Sequence, residues 1–293
     1  MTDTDPGAAL NASPLAVICG GGSLPYAVAR AAQQQGRRVV LFPLRGSADP
    51  QAVTAFDHHW IVTGKYGQFR RLARSEGCRD VVMIGNVLRP ALRDVRFDLA
   101  TLLLLPRMVR TFRSGDNSLL SEIAKLFEEH GLRVIGAHEI APEILIPPGP
   151  LAGRLPNESE RADIALALAL LRATGPFDVG QAAIVADQRV LALEAAEGTD
   201  RMLTRFAELR QSGQVRVRPG SGVLVKAPKP AQDRRLDLPS IGPKTVEGAV
   251  KAGLAGIAVV AGSTVVAEPD LIAAAADRAG LFVVGLPADE SDG

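Results

Sequence analysis

Asp233 and Asp237 stand four residues apart in the stretch VKAPKPAQDRRLDLPSIG, residues 225–242, among Lys226, Lys229, Arg234 and Arg235. Three prolines, Pro228, Pro230 and Pro239, keep the stretch out of a regular helix. An even spacing puts both carboxylates on one side of an extended chain, and a spacing of four also puts them on one face of a helical turn. In either conformation they open on a common space. Carboxylates hold a hard cation such as Mg²⁺, or orient and deprotonate water. Lysines and arginines offset charge developing on phosphate oxygens. The combination suits attack of water on a phosphoryl group, with a solvated surface loop as the plainer alternative. Upstream, EGTD supplies Glu197, Gly198, Thr199 and Asp200 after an apolar strand. Thr199 and Asp200 are ordinary helix caps, whereas Glu197 has no capping role to fill. Acyl transfer has no Ser-His-Asp candidate. His58, His59, His130 and His138 form no metal set, and only His138 sits where a ligand at the end of a sheet would lie.

A second group lies near the start of the chain. In VICGGGSLPYAVARAAQQQG, Gly20, Gly21 and Gly22 join a strand to a helix. Glycine lets backbone approach a ligand, and the helix N-terminus offers free N–H groups to an anion. The pattern is G-x-G-x-x-P, because Pro25 takes the place of the third glycine of a dinucleotide fingerprint. The second strand ends FPLRG, without the acidic residue that would bind an NAD ribose. A nucleotide or phosphate site is therefore expected here, a bare strand-to-helix turn being the alternative. MIGNVLRP repeats the arrangement with Gly85 and Asn86, TGKYG contributes Lys65, and Asp116 and Asn117 read as caps of a long helix.

These residues need elements to hold them. Apolar and helical periodicities predict strands at Leu15–Cys19, Arg38–Leu44, Trp60–Val62, Val81–Ile84 and Leu132–Ile135, with helices at Pro25–Gln35, Gln68–Ser75 and Asp116–His130. Such alternation means βαβ units and a parallel sheet. Pro142–Glu158, with five prolines and two glycines, reads as an interdomain linker. Beyond it come a helix at Glu158–Ala173, a hairpin of Ala182–Ala186 and Val190–Leu193 around DQR, a helix at Asp200–Leu209 and a strand at Gly222–Lys226. A helix at Pro243–Ala252, strands at Ile257–Val260, Thr264–Val266 and Leu281–Gly285, and a helix at Leu271–Arg278 complete this half. Phe97–Arg113, apolar with Arg107, Arg110 and Arg113 on one face, reads as a core helix with a basic side or as a membrane-lying segment.

At 293 residues and 47% hydrophobic the chain is long enough for two domains. Lys+Arg 33 against Asp+Glu 32, with 4% aromatics, argues against a nucleic-acid partner. Cys19 and Cys78 have no CxxC spacing and read as buried thiols of a reducing compartment. With neither a basic secretory start nor a spanning apolar run, a cytoplasmic location is expected.

The strand-GGGSLP-helix opening, MIGNVLRP, EGTD and above all KPAQDRRLDLPSIGPKTVE resemble the UDP-2,3-diacylglucosamine pyrophosphatases of the lipid A pathway, of the type unrelated to calcineurin-like phosphoesterases. The likeness runs from Leu15 to Gly285, and Ala231 departs from it where glycine is expected. It implies a Rossmann-like parallel-sheet domain at 1–145 for the UDP half. It implies a mixed α/β domain at 146–293 for catalysis and the acylated sugar. It further implies hydrolysis to UMP and 2,3-diacylglucosamine 1-phosphate (lipid X), need of Mg²⁺, and attack on the sugar-proximal phosphorus. One aspartate of the QD-x-R-x-D block, Asp233 or Asp237, is essential by this resemblance. The expected roles follow. Gly20, Gly21, Gly22, Ser23, Leu24, Lys65, Gly85 and Asn86 bind the nucleotide. Asp200, Asp233 and Asp237 hold metal or water, and Lys226 and Lys229 hold the phosphates. The lipid-linked nucleotide sugar brings the chain peripherally to the cytoplasmic face of the inner membrane, and a homodimer is the expected assembly. Two rivals are an NAD(P)-dependent Rossmann enzyme and a non-catalytic nucleotide-sugar-binding protein.

Overall fold

The structure is a computed structural model, and it describes residues 13–87, 97–102, 116–218, 220–229 and 232–287. The chain divides into two compact units. The first takes Met1–Pro142 and Asp233–Asp237; the second takes Glu143–Gln232 and Leu238–Gly293.

In the first unit β1 (Leu15–Cys19), β2 (Val39–Pro43), β3 (Asp80–Ile84) and β4 (Arg133–Val134) form a parallel sheet in the order β2-β1-β3-β4. Its strands are nearly continuous apolar runs, as a sheet covered on both faces requires. Helix α1 (Leu24–Gln34) lies against β1 and β2. The short α2 (Pro50–Val53) starts at Asp49, which accepts Gln51 N at 2.9 Å. On the other face Phe69 and Ala73 of α3 (Tyr66–Ser75) and Ala124 and Phe127 of α4 (Asp116–Glu129) pack with Ala16, Val40, Phe42 and Val81. The short α5 (Ala137–Ile140) follows β4.

The second unit carries a mixed six-stranded sheet. Its strands are β5 (Gly149–Ala152), β6 (Ala182–Ala186), β7 (Arg189–Leu193), β8 (Val223–Lys226), β10 (Gly256–Val260) and β12 (Phe282–Leu286), ordered β5-β12-β10-β8-β6-β7. The central three, β8, β10 and β12, run parallel; β5, β6 and β7 pair antiparallel. Alternate residues serve opposite faces. Ile184, Leu224, Ile257 and Val283 meet α7 (Thr199–Gln211), α8 (Pro243–Lys251) and α9 (Pro269–Ala279). Val185, Val223, Val225, Ala258 and Phe282 meet α6 (Glu158–Thr174). A small parallel pair, β9 (Ser240–Ile241) and β11 (Val265–Val266), follows the charged loop.

Two expectations change. The proline-rich Pro142–Glu158 is not merely a linker: Gly149–Ala152 forms edge strand β5, where proline removes no needed ladder bond. Trp60–Val62 makes no strand; His58 and Ile61 touch Leu41 and Leu44 through isolated bridges beside β2. Of the apolar Phe97–Arg113 segment, only 97–102 is described, so Arg107, Arg110 and Arg113 lie outside the described residues. The side chains of Asp116 and Asn117 lie outside them too.

Candidate functional site

The order of the first sheet reverses between β1 and β3, which is where open parallel sheets bind ligands beyond their strand ends. The two glycine turns stand on either side of this point. Gly21 N donates to Asn86 O at 2.7 Å, and Asn86 N returns a bond to Gly21 O at 2.9 Å. Side-chain atoms do not fit between them. A Cβ on Gly20 would lie 2.6 Å from Asn86 O, one on Gly21 2.9 Å from Ser47 O, and one on Gly85 2.8 Å from Gly21 O. Gly20, Gly21 and Gly85 are thus required by protein backbone, where the sequence points to a ligand. Gly22 differs, with φ +93 and open space around its Cβ direction. It presents backbone at the start of α1, whose first residues are Leu24 and Pro25. Ser23 makes no side-chain cap bond there. Asn86 is exposed, and Lys65, half-buried at the start of α3, has no ion pair among the described residues.

His138 follows β4 at the same carboxyl end. Gly136 leaves room for its ring, since a Cβ there would lie 2.4 Å from His138 Cε1. Its Nδ1 is buried without a hydrogen-bond partner among the described residues. Burial and then the Arg234 charge depress its pKa, so the neutral ring is favoured. A cavity of about 420 Å³ at the opposite end, lined by Arg79, Asp80 and Arg133, is a different kind of place. There Asp80 is already shared by Arg37 and Arg133.

The segment Asp233–Asp237 is one helical turn: Asp233 O accepts Leu236 N at 2.9 Å and Asp237 N at 3.1 Å. Of the two conformations open to the sequence, the turn is adopted, and Leu236 packs with the apolar cluster of the first unit. The two carboxylates differ in surroundings. Asp233 Oδ1 accepts Arg235 N at 3.0 Å, and its Oδ2 accepts Arg235 Nη2 at 2.8 Å. Arg235 thereby holds Asp233 below the ordinary carboxylate range, and it also reaches Glu128 at 2.9 Å. Asp237 is half-buried.

In the second unit Lys226, at the end of β8, is 5% exposed. Its Nζ donates to Thr199 Oγ1 at 3.0 Å and to Ser240 O at 2.9 Å. Thr199 Oγ1 in turn donates to Glu194 Oε1 at 3.1 Å, and Glu194 Oε2 accepts Gln181 N at 3.2 Å. Glu194 is buried and carries no signal in the sequence, where it reads as the polar end of a strand. Lys229 pairs with Asp178, and its backbone N donates to Gln232 Oε1 at 3.0 Å. Glu197, which lacks a structural reason in the sequence, has one in Arg205 at 2.8 Å. Asp200 is exposed in the first turn of α7. Asp163, buried at 3% exposure, resembles a catalytic acid but accepts Gln188 N at 2.7 Å and Asp187 N at 3.1 Å. It thus supports the hairpin turn at two positive-φ residues. Among the described residues no three or more His, Cys, Asp or Glu side chains group to hold a metal ion.

Family models match both halves of the chain: "LpxI N-terminal domain" over residues 14–144 and "LpxI C-terminal domain" over 147–284. A protein of Caulobacter vibrioides named UDP-2,3-diacylglucosamine pyrophosphatase LpxI is 40% identical over 276 residues, covering 94% of this chain and 98% of that protein. Among solved structures, a UDP-glucose 4-epimerase of Thermus thermophilus in complex with NAD is 13% identical with a TM-score of 0.30, covering 94% of this chain and 86% of that one. A UDP-glucose-4-epimerase of Stenotrophomonas maltophila with bound NAD and formylated UDP-arabinopyranose is also 13% identical, with a TM-score of 0.27 over 96% and 95%. Scores this low carry no argument about fold or ligand.

Proposed function

This chain belongs to the LpxI family, and from that premise we propose that it hydrolyses the pyrophosphate of UDP-2,3-diacylglucosamine to UMP and 2,3-diacylglucosamine 1-phosphate. The observation that carries the reading is kinship running through both halves at 40% identity, the QDRRLD block included in its span.

The residues take the following parts. Gly22, Ser23 and Leu24 offer backbone at the start of α1 to the nucleotide phosphate. Lys65, Gly85 and Asn86 border the same sheet end, and the neutral His138 beside the Arg234 charge adds a polar group and a cation. Lys229 supplies further positive charge. Asp237 orients the attacking water and takes its proton. Asp233, held low by Arg235, keeps the turn in shape and remains ionised. Water adds to the sugar-proximal phosphorus, the bridging P–O bond breaks, and UMP leaves with the bridging oxygen.

Mg²⁺ fits these residues in one way. Two carboxylates within one turn suit a cation that keeps several waters and shares its ligands with substrate phosphates, rather than an all-protein cage. Asp237 with Asp233 would hold it, and it would neutralise charge on the diphosphate. Substrate with two acyl chains resides in a bilayer, so the chain works as a peripheral protein at the cytoplasmic face of the inner membrane. No helix among the described residues is long and apolar enough to cross one.

Incubation with UDP-2,3-diacylglucosamine and Mg²⁺ in H₂¹⁸O tests the reading. UMP should form, with ¹⁸O in the phosphate of the lipid product. Absence of UMP overturns the function, and ¹⁸O in UMP overturns the attacked phosphorus. The dinucleotide rival loses its main support, because Gly20 and Gly21 are accounted for by loop packing.

A further inference from the structure

The sheet of the first unit gives a bound nucleotide a direction. Its strands run in the order β2-β1-β3-β4. Gly22 and the start of α1 stand after β1, where a phosphate meets backbone N–H groups. His138 follows β4, and the Arg234 charge of the QDRRLD turn acts on it. The reacting end of the substrate therefore belongs on the β4 side, and the nucleoside on the β2 side. The chain leaves β2 through Leu44, whose N donates to Cys19 O at 3.0 Å. Ser47 O then presses on the glycine turn, where a Cβ on Gly21 would lie 2.9 Å away. The loop after β2 is thus tied to the turn that faces the phosphate.

Arg45 is exposed on this loop, at the place where a dinucleotide site carries an acid. Its N donates to Ile61 O at 3.0 Å, which brings Trp60 alongside. Ile61 turns into the core with Phe42 and Phe69, so half-buried Trp60 faces the other way. His58 meets the Trp60 ring edge-on, at 84° with centroids 6.3 Å apart. Arg45 Cζ lies over that ring, 5.6 Å from its centroid. Among the described residues the Arg45 guanidinium pairs with no carboxylate. A guanidinium steadied by an aromatic ring, and not by an acid, keeps its flat face and its N–H groups for a ligand. Nucleobases stack on such rings and guanidinium planes.

We propose that Trp60 and Arg45 seat the uracil of the nucleotide. The identity of the base rests on the proposed hydrolysis of UDP-2,3-diacylglucosamine. The two side chains supply binding energy and selectivity for a base, and take no part in breaking the P–O bond.

The full-length protein carries its own probe, because its one tryptophan is Trp60. UMP should change the emission of Trp60 saturably. Ribose 5-phosphate, which keeps sugar and phosphate without the base, should leave it unchanged. By calorimetry UMP should bind about tenfold or more tighter than ribose 5-phosphate, the worth of one stacked base. Trp60→Leu and Arg45→Met should each close most of that gap. Trp60→Phe still offers a stacking face and should hold UMP within about threefold of wild type. In turnover, Arg45→Met should raise KM by about tenfold with kcat within about threefold, as for binding shared by ground and transition states. UMP bound by calorimetry without a change in Trp60 emission, and with equal affinity in Arg45→Met, overturns the seat alone. An equal response to ribose 5-phosphate gives Arg45 to the phosphate and also overturns it. If the folded protein binds neither UMP nor UDP, the nucleotide reading of the first unit fails, and the seat with it. Should Trp60→Leu fail to fold, the emission of wild type and the Arg45→Met affinities decide.

Discussion

At the scale of single residues, the two aspartates of the QDRRLD block part company. Asp233 is bonded by the backbone and guanidinium of Arg235, and that pairing depresses its pKa. A depressed carboxylate is a weak base. On the proposed reading Asp237, at the far end of the turn, accepts the water proton, while Asp233 is held by Arg235. Asp237→Asn should lower kcat by roughly 100-fold or more, within the range of general-base loss. Asp233→Asn keeps an oxygen for Arg235 N and should lose about tenfold, through geometry. Steady-state assay of UMP release by both variants decides the assignment, and equal losses would refute the division of labour. Spacing in the sequence places both carboxylates in one loop. It is silent on their difference, because that depends on which way Arg235 turns.

At the scale of elements, α6 shows how acid enters the stability of the fold. Asn157 caps the helix by accepting Glu160 N at 2.9 Å, and Glu160 answers by accepting Asn157 N at 2.8 Å. Burial alone would raise the Glu160 pKa, but the two-pronged Arg154 bond and the Asn157 N–H outweigh it, and the net shift is downward. A carboxylate lower in the folded state than in the unfolded one stabilises the fold at neutral pH. That contribution is complete above the ordinary glutamate pKa of about 4.3 and is lost as pH falls through the folded value. Glu160→Gln should therefore cost about 1 kcal/mol at pH 7, half-exposed Arg154 adding little by itself. Urea unfolding at pH 7 and near pH 3 should show the gap between variant and wild type closing at the acid end; a constant gap would mean the charge plays no part.

Elements of this kind are legible because their signals are local. Asn157 and Glu160 announce α6, apolar runs announce β1, β6 and β8, and Gly36 beyond Gln35 ends α1. What escapes is set by distant partners. Edge strand β5 exists because β12 lies beside it, and β9 because β11 does. The glycine turns look like a phosphate cradle, yet Gly20 and Gly85 answer to the crowding of one turn on the other, and Gly21 to Ser47 O. Glu194 carries no motif at all; only the fold brings Thr199 and Lys226 to it.

For the whole molecule, the chain is not partitioned at one cut. Asp233–Asp237 belongs to the first unit although its flanks belong to the second. The physical content of that membership is Leu236 against the cluster of Phe42, Phe69 and Phe127, with Arg235 reaching Glu128. Both cysteines lie in this unit, buried and free. Burial pushes Cys19 up to about 12 and Cys78 up to about 11, so neither is a thiolate at neutral pH. Since the thiolate is the reacting species, a thiol reagent labels them only when the unit opens. Labelling therefore measures how far the lent segment holds the first unit together. Leu236→Ala removes a half-buried side chain worth about 1 kcal/mol of apolar burial, and the exposed part of the Arg235–Glu128 pair adds little. In the full-length protein at neutral pH, labelling of Cys19 and Cys78 should then quicken by about fivefold in Leu236→Ala, the rate following the population of the open form. Val250→Ala, an exposed position on α8 of the second unit, should leave the rate unchanged. If Leu236→Ala labels no faster than wild type, the segment is carried by its flanks alone, and the packing of Leu236 contributes nothing to the unit that receives it.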